Sequence, residues 1–181
     1  DLPGFTAARR SSCWASMSVA AWSGIVDVRT GELDLPVLEA CGVAPELFSP
    51  LVDPDQPDRP TSTGWKELKK VDWFHAIPDG WPSNIGPGAI DSLTVAVAAA
   101  TSGAVRVILD ECPTEIPSGL WCYRLSRDRW IVGGALNDVG RAVSWLDATV
   151  ASPGENLDAV LAGPPLAGTP SVLPFFSGER A

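Results

Sequence analysis

Residues 77–107 read IPDGWPSNIGPGAIDSLTVAVAAATSGAVRV, and this stretch decides how the rest of the chain is interpreted. It places one carboxylate, Asp79, among prolines and glycines and follows it with an apolar run and the small polar turn ATSG at 100–103. A carboxylate can accept the proton of a hydroxyl group, and small residues in a turn let backbone N–H groups approach a phosphate. The stretch therefore predicts a site that activates a hydroxyl beside a phosphate.

The apolar run within this stretch predicts a β-hairpin. It covers residues 93–109, is interrupted by the polar turn and carries Arg106, so it falls short of the roughly 20 apolar residues that cross a bilayer. Branched apolar residues alternate on both sides of the turn: Val95, Val97, Val105, Val107 and Leu109. This period of two is typical of paired strands, with residues 101–103 as their turn.

Composition limits the class of protein. The 181 residues are 45% hydrophobic, which is enough for one good core or two small ones. A net charge of −9 argues against a nucleic-acid partner and against an anionic membrane surface, because both attract clustered Lys and Arg. The four cysteines, at 13, 41, 112 and 122, form no C-x-x-C pair and accompany a single histidine. We therefore expect reduced thiols, no structural zinc and a cytoplasmic location.

One short segment points to a different class of enzyme. Residues 12–15, SCWA, are similar to the surroundings of the nucleophile in papain-like cysteine proteases. The catalytic histidine of those enzymes lies about 130–150 residues downstream, whereas the one histidine here, His75, is much closer. We interpret Cys13 as a small packed residue, with a reactive thiol as the alternative. His75 is interpreted as a structural residue, with a catalytic base as the alternative.

Capping signals predict a helix in the first half of the chain. Asp34 is an acidic N-cap, Pro36 lies in the first turn, where its missing N–H costs nothing, and Gly42 ends the helix. The proline-rich residues 45–60 are predicted to form a surface connection. Residues 71–76, VDWFHA, are predicted to form a strand that leads to Asp-Gly at 79–80.

The second half of the chain predicts a strand, a turn and a helix. Residues 130–132, WIV, have the composition of a strand, and the Gly-Gly pair at 133–134 predicts a turn. A helix is predicted over residues 137–150, with Asn137 or Asp138 as its cap.

Five segments carry a resemblance to a known family. They read GIVDVRTGELDLPVLEACGVAPELFSPLVD at 24–53, PDGWPSNIGPGAID at 78–91, LTVAVAAATSGAVRVIL at 93–109, PSGLWCYRLSRDRWIVGGALNDVGRAVSWL at 117–146 and PSVLPFFSGERA at 170–181. In this order they resemble FGGY-family carbohydrate kinases, with gluconokinase-like members closest. The resemblance runs from residue 16 to residue 181. Any one motif alone would be weak, and their order makes the resemblance specific.

The resemblance implies an actin-like, ribonuclease-H-like α/β ATPase fold. Residues 1–91 would be the closing part of the first, sugar-binding domain, and residues 92–181 the opening part of the second, ATP-binding domain. The implied activity is ATP-dependent phosphorylation of a sugar or a sugar acid such as gluconate, with ATP and Mg²⁺ as cofactors. Phosphoryl transfer depends on positioning and charge stabilisation, so a carboxylate need only reach the attacking hydroxyl.

The resemblance also assigns roles to particular residues. Asp79 corresponds to the catalytic base that accepts the proton of the sugar hydroxyl, and its alternative role is that of a turn residue. Three turn residues would approach the ATP phosphates: Thr101, Ser102 and Gly103. Gly140 and Ser144, near the start of the predicted helix, correspond to nucleotide contacts, and for Gly140 close helix packing is the alternative. No protein metal ligand is assigned.

Departures from the family pattern keep a second function open. Ala100 stands where glycine is usual, Trp81 replaces a small residue, and prolines and glycines at 82–88 oppose the usual helix. The resemblance also lacks the family's amino-terminal phosphate-binding strands and later adenine-binding segment. We therefore expect an internal fragment that is inactive by itself and that self-associates or pairs with the missing parts of the kinase. The alternative is a non-catalytic kinase-like remnant or a sugar-binding domain.

Overall fold

The computed structural model describes residues 14–58, 66–149, 156–165, 167–172 and 177–178. The helices and strands follow in chain order: β1 Ala15–Ser16, α1 Met17–Ala21, α2 Leu35–Ala40, β2 Leu51–Val52, α3 Pro82–Ile85, β3 Val95–Ala99, β4 Gly103–Leu109, β5 Trp121–Ser126, β6 Arg129–Leu136, α4 Gly140–Thr149 and α5 Leu157–Ala162. Two short 3-10 segments lie at Pro45–Leu47 and Lys66–Lys70. Among these residues no helix is both long and apolar enough to cross a bilayer.

A four-stranded antiparallel sheet organises the second half of the chain. Its strand order is β3-β4-β6-β5, so the predicted hairpin forms one edge of the sheet. Strand β4 pairs with β6 from Gly103 opposite Leu136 to Leu109 opposite Trp130. Strands β1 and β2 form a separate parallel pair of two residues each.

The two faces of the hairpin are buried unequally. Ala96, Ala104 and Ile108 are buried, whereas Val97 is 71% exposed and Val95 is 54% exposed. Helix α3 packs against both β3 and β4, and small side chains allow this close approach. The predicted strands are therefore confirmed, and the face with the larger valine side chains is the one that stays open.

The core lies between the sheet and the segments that precede it. Ile108, Leu125 and Ile131 form its buried centre. Four partly buried aromatic residues pack against this centre: Trp22, Trp81, Trp121 and Tyr123. Helix α1, which the sequence did not predict, packs against β5, so the early part of the chain completes the core of the sheet.

Arg124 and Trp130 bind the turn that precedes α2 to the sheet. The Arg124 side chain is 7% exposed, and it donates to the carbonyl oxygens of Val28 at 3.4 Å and Arg29 at 2.6 Å. The indole Nε1 of Trp130 donates to the same Val28 oxygen at 2.8 Å. The turn itself is closed by Asp27, whose Oδ1 accepts the backbone N–H of Arg29 at 2.7 Å.

Helix α2 forms as predicted. The Asp34 side chain accepts the backbone N–H of Val37 at 3.1 Å, and a proline lies in the first turn. Gly42 follows the helix with a φ of +67°, a conformation that glycine adopts at little cost. On this helix only Leu38 is buried.

Three local predictions are wrong. Residues 71–76 form no strand: within the described part of the chain only Trp73 pairs, in an isolated bridge with Asp58. The Gly-Gly pair at 133–134 lies inside β6 and not in a turn. A Cβ on Gly133 would lie 2.5 Å from the carbonyl oxygen of Val105, so the glycine is needed for close approach within the sheet.

The third correction concerns the start of α4. The helix begins at Gly140, and neither Asn137 nor Asp138 acts as its cap in the described hydrogen bonds. Asn137 Nδ2 instead donates to the Gly178 carbonyl at 2.8 Å, and Asp138 Oδ2 accepts the Ser177 N–H at 3.0 Å. Both side chains are therefore used to hold a distant segment.

Candidate functional site

Asp79 lies in a turn that leads into α3. Its side chain is exposed, and its backbone carbonyl accepts the N–H of Ser83 at 3.2 Å. Despite the surrounding prolines and glycines, one helical turn forms at Pro82–Ile85, because proline in the first turn of a helix loses no hydrogen bond. The carboxylate is thus solvent-exposed and lies just before the amino end of a short helix.

A chain of hydrogen bonds connects this turn to the hairpin. The Ser83 hydroxyl donates to the carbonyl oxygen of Gly80 at 2.9 Å. Arg106 Nη1, from β4, donates to the same Ser83 oxygen at 3.3 Å. Arg106 lies three residues beyond Gly103, so the segment that follows Asp79 meets the hairpin roughly 10 Å from its tip.

The tip of the hairpin is the predicted phosphate turn. The Ala100 N–H donates to the Ser102 carbonyl at 2.9 Å, and the side chains of Thr101 and Ser102 are exposed. Among the described residues no amino acid other than glycine has a positive φ, so the turn forms with Ala100 in an ordinary conformation. Within the described part of the chain, the backbone N–H groups of Thr101 and Ser102 donate no hydrogen bond.

This turn packs directly against the start of α4. The Gly140 N–H donates to the Ala100 carbonyl at 2.8 Å, and the Arg141 N–H donates to the Thr101 carbonyl at 3.3 Å. A Cβ on Gly140 would lie 2.7 Å from the Ala100 oxygen. The packing alternative for Gly140 is thus observed, and its contact with a nucleotide stays a prediction.

Gly103 is also needed for this contact. A Cβ there would lie 2.5 Å from Val139 Cγ2 and 3.1 Å from the Ala98 carbonyl oxygen. Ser144 is exposed on α4, four residues beyond Gly140 and therefore on the same side of the helix. The fold brings five of the six predicted site residues together: Thr101, Ser102, Gly103, Gly140 and Ser144. Asp79 is the one that lies apart, in the turn before α3, a helix that meets the hairpin at Arg106.

A groove of about 420 Å³ opens beside the start of α4. Its described lining comprises Asp138, Arg141, Ala142, Trp145 and Ser177. Asp138 is 3% exposed, and its Oδ1 forms an ion pair with Arg141 Nη1 at 3.5 Å. Beyond its candidacy as a helix cap, no pattern in the sequence pointed to this buried carboxylate.

A second groove, of about 340 Å³, has Trp81 among its lining residues. Asp55 and Asp128 line it together with Arg129. Burial raises the pKa of Asp55, and the negative charges of Asp53 and Asp128 raise this pKa further. No local pattern in the sequence predicts this groove, because Asp55 and Asp128 come from separate loops.

Of the two residues behind the protease alternative, the structure describes only His75. His75 is half-buried between exposed neighbours, and Cys13 lies outside the described residues.

Comparison with known proteins gives relatives of one class. No protein-family model matches the chain. Gluconokinases from Bacillus licheniformis and Bacillus subtilis (strain 168) are each 29% identical to it over 139 residues. The alignment covers 75% of this chain and 27% of each gluconokinase. The chain thus spans about a quarter of the length of the curated relatives that it matches.

The solved structures that resemble this chain are also carbohydrate kinases. Ligand-bound xylulose kinase from Lactobacillus acidophilus matches with a TM-score of 0.76 and 27% identity, covering 93% of this chain and 36% of that one. Gluconate kinase from the same organism matches with a TM-score of 0.70 and 27% identity, covering 82% of this chain and 31% of that one. A xylulose kinase from Rhodospirillum rubrum, with a TM-score of 0.71 at 18% identity, supports the fold alone.

Sequence and structure together confirm the resemblance to FGGY carbohydrate kinases. The described residues form part of the actin-like, ribonuclease-H-like α/β fold that these kinases share. Within that class, the curated relatives are gluconokinases.

Proposed function

We propose that this chain is part of an ATP-dependent carbohydrate kinase that phosphorylates a sugar or a sugar acid such as gluconate. The observation that carries the proposal is the agreement between gluconokinase sequences and a gluconate kinase structure over most of the chain. A cytoplasmic location and a boundary between two domains at residues 91 and 92 belong to the same proposal.

Asp79 is the catalytic base in this proposal. Its carboxylate is exposed, so a substrate hydroxyl can reach it without displacing a protein partner. The carboxylate accepts the hydroxyl proton as the oxygen attacks the terminal phosphate, and general base catalysis of this kind contributes about 10²–10⁴ in rate.

The hairpin turn supplies the phosphate contacts. Two exposed hydroxyls and two backbone N–H groups, those of Thr101 and Ser102, face no described protein acceptor. Groups of this kind fit phosphate oxygens. Gly103 and Gly140 fix the turn on α4, and Ser144 lies on the side of the helix nearest to it. The start of α4 contributes little, because Gly140 and Arg141 already donate to the turn.

The described residues include groups that could contact the phosphates of ATP, but no cluster of side chains that could enclose Mg²⁺. The exposed donors of the turn support a phosphate contact there. Among the described residues no group of three or more His, Cys, Asp or Glu side chains could enclose a metal ion. Mg²⁺ commonly binds through substrate phosphates, water and one or two carboxylates, so in this proposal it arrives with the nucleotide and neutralises phosphate charge.

A phosphoryl-transfer assay on the complete gene product tests the role of Asp79. Asp79→Asn removes the base while preserving size, so we expect kcat to fall by about 10²–10⁴ with little change in the KM for ATP. The matched control is Asp91→Asn, a carboxylate whose Oδ1 accepts only the nearby Leu93 N–H in the described structure. Unchanged turnover in Asp79→Asn would exclude the base role.

Calorimetry distinguishes the kinase from the non-catalytic alternative. A kinase binds both Mg-ATP and its sugar acid, whereas a sugar-binding domain binds gluconate and gives no heat with Mg-ATP. The 181-residue chain and the complete gene product should be titrated in parallel, because the proposal assigns part of each binding site to segments that the relatives have outside this span. Binding of neither ligand by the complete product would contradict both candidates.

A further inference from the structure

The ring of Trp22 lies against the backbone of Gly80, next to the proposed base. Gly80 is buried, and a Cβ at this position would overlap Cη2 of Trp22 and lie 3.1 Å from its Cζ2. The φ of Gly80 is not in the left-handed region, so the ring, and not the backbone conformation, excludes a side chain. The two residues are 58 positions apart in the chain.

Trp22 is itself held in place. Its ring stacks on Tyr123 with centroids 4.5 Å apart and planes 22° apart, and it meets Trp121 at 6.0 Å. Its backbone N–H donates to the Val19 carbonyl at 3.2 Å. The ring is therefore a fixed contact surface for the turn that carries Asp79, held by its place at the end of α1 and by the aromatic residues of β5.

The contact with Gly80 depends on the far edge of the Trp22 ring and not on its indole N–H. Trp22 Nε1 is buried and has no hydrogen-bond partner among the described residues, and an unpaired buried donor is unfavourable. A phenylalanine would avoid this cost and could still stack on Tyr123. The atom that meets Gly80 is Cη2, at the far edge of the indole, which a phenyl ring would not reach.

The opposite side of the turn is held by polar contacts. Ser83 Oγ donates to the Gly80 carbonyl, and Arg106 donates to Ser83. The backbone of Gly80 is thus fixed between a hydroxyl and an aromatic edge. Because Asp79 directly precedes Gly80, fixing the Gly80 backbone also restricts where the Asp79 carboxylate can lie.

We propose that Trp22 is a positioning residue, whose ring edge fixes Gly80 and thereby the Asp79 carboxylate. This inference rests on the proposed function, since it needs Asp79 as the base. Misplacing a catalytic group by about 1 Å can cost roughly 10²-fold in rate. The effect should therefore appear in kcat while the fold and nucleotide binding stay unchanged.

Kinetics of Trp22→Phe in the complete gene product test the proposal. We expect kcat to fall about 10- to 100-fold, with an unchanged KM for ATP and a circular dichroism spectrum at the assay temperature like that of the parent. The matched control is Trp73→Phe, at a 42% exposed tryptophan away from the turn, which should leave kcat unchanged. A Trp22→Phe enzyme with parental kcat overturns the inference, even where Asp79→Asn has confirmed the base.

A double-mutant cycle on the 181-residue chain tests the contact without any activity. Gly80→Ala alone should lower the urea midpoint, because its methyl group overlaps the Trp22 ring. Trp22→Phe removes the obstructing edge, so Gly80→Ala should lower the midpoint much less in the Trp22→Phe background than in the parent. Strictly additive effects overturn the proposed contact, whether or not Asp79 proves to be the base.

Discussion

The backbone N–H of Gly140 donates to the carbonyl oxygen of Ala100 over 2.8 Å, which binds the first residue of α4 to the tip of the hairpin. The first N–H groups of a helix have no partner within the helix and need one outside it. Here the carbonyls of the turn are those partners, in place of a capping side chain. The turn and the helix therefore form one unit, and the glycine permits their contact.

Gly140→Ala should destabilise the chain. Its Cβ would lie 2.7 Å from the Ala100 oxygen, and relieving this overlap requires the helix to move off the turn. We expect a loss of about 1–3 kcal/mol in the free energy of unfolding, measured by urea denaturation. Ser144→Ala, at an exposed position on the same helix, is the control and should be neutral or slightly stabilising. Equal stability of the two variants would contradict this packing.

Arg124→Lys should weaken the connection between the early turn and the sheet. The guanidinium donates to four carbonyl oxygens, those of Val28, Arg29, Ser126 and Arg127, and it lies 4.7 Å from the centre of the Trp130 ring. A lysine ammonium cannot reproduce this planar fork. We expect a loss of about 2–3 kcal/mol on urea denaturation.

The control for Arg124→Lys is Arg127→Lys, which makes the same change at an exposed side chain. It should alter the free energy of unfolding by less than about 0.5 kcal/mol. A similar loss in both variants would show that the four carbonyl contacts do not stabilise the fold.

Cys122 should react slowly with alkylating reagents. Burial, and then the neighbouring Cys112, raises its pKa from 9.0 to about 11. At pH 8 its thiolate fraction is then roughly 100-fold below that of a model thiol. Iodoacetamide labelling followed by peptide mass spectrometry should find Cys122 modified long after the exposed Cys41. Equal labelling rates would contradict the raised pKa.

The same pKa shift makes stability depend on alkaline pH. Since the folded state holds the Cys122 proton more tightly than the unfolded state does, its contribution is fully present below pH 9.0 and is lost as the pH rises towards about 11. The urea midpoint should fall over this window. In Cys122→Ser the fall should be smaller, because the hydroxyl does not titrate there.

The open valine face of the hairpin should promote association. Val97 and Val105 are 71% and 44% exposed on this face. Replacing both by threonine preserves the β-branched shape that strands favour and removes apolar surface. We expect a larger monomer fraction in sedimentation velocity, with the same urea midpoint. Val172→Thr, at a 67% exposed valine outside the sheet, is the control and should not change the monomer fraction.

Local signals in the sequence were sufficient for several elements. The cap, proline and glycine around α2 predict its ends, because each acts within a few residues of the backbone that it stabilises. The alternation around residues 101–103 predicts the hairpin for the same reason. The family resemblance, which the comparisons confirm, supplied the fold that joins these elements. The assigned roles of the site residues remain predictions.

The sequence by itself thus determined the hairpin, α2 and the class of kinase that the chain resembles. Only the tertiary structure decided that the valine face is open, that Gly133 lies inside a strand and that Trp22 abuts Gly80. Periodicity identifies a strand, but which face is buried depends on the element that covers it, here α3. In a sequence, a glycine suggests a turn or a flexible position. Gly133 and Gly80 are instead needed because residues distant in the chain pack against their backbones.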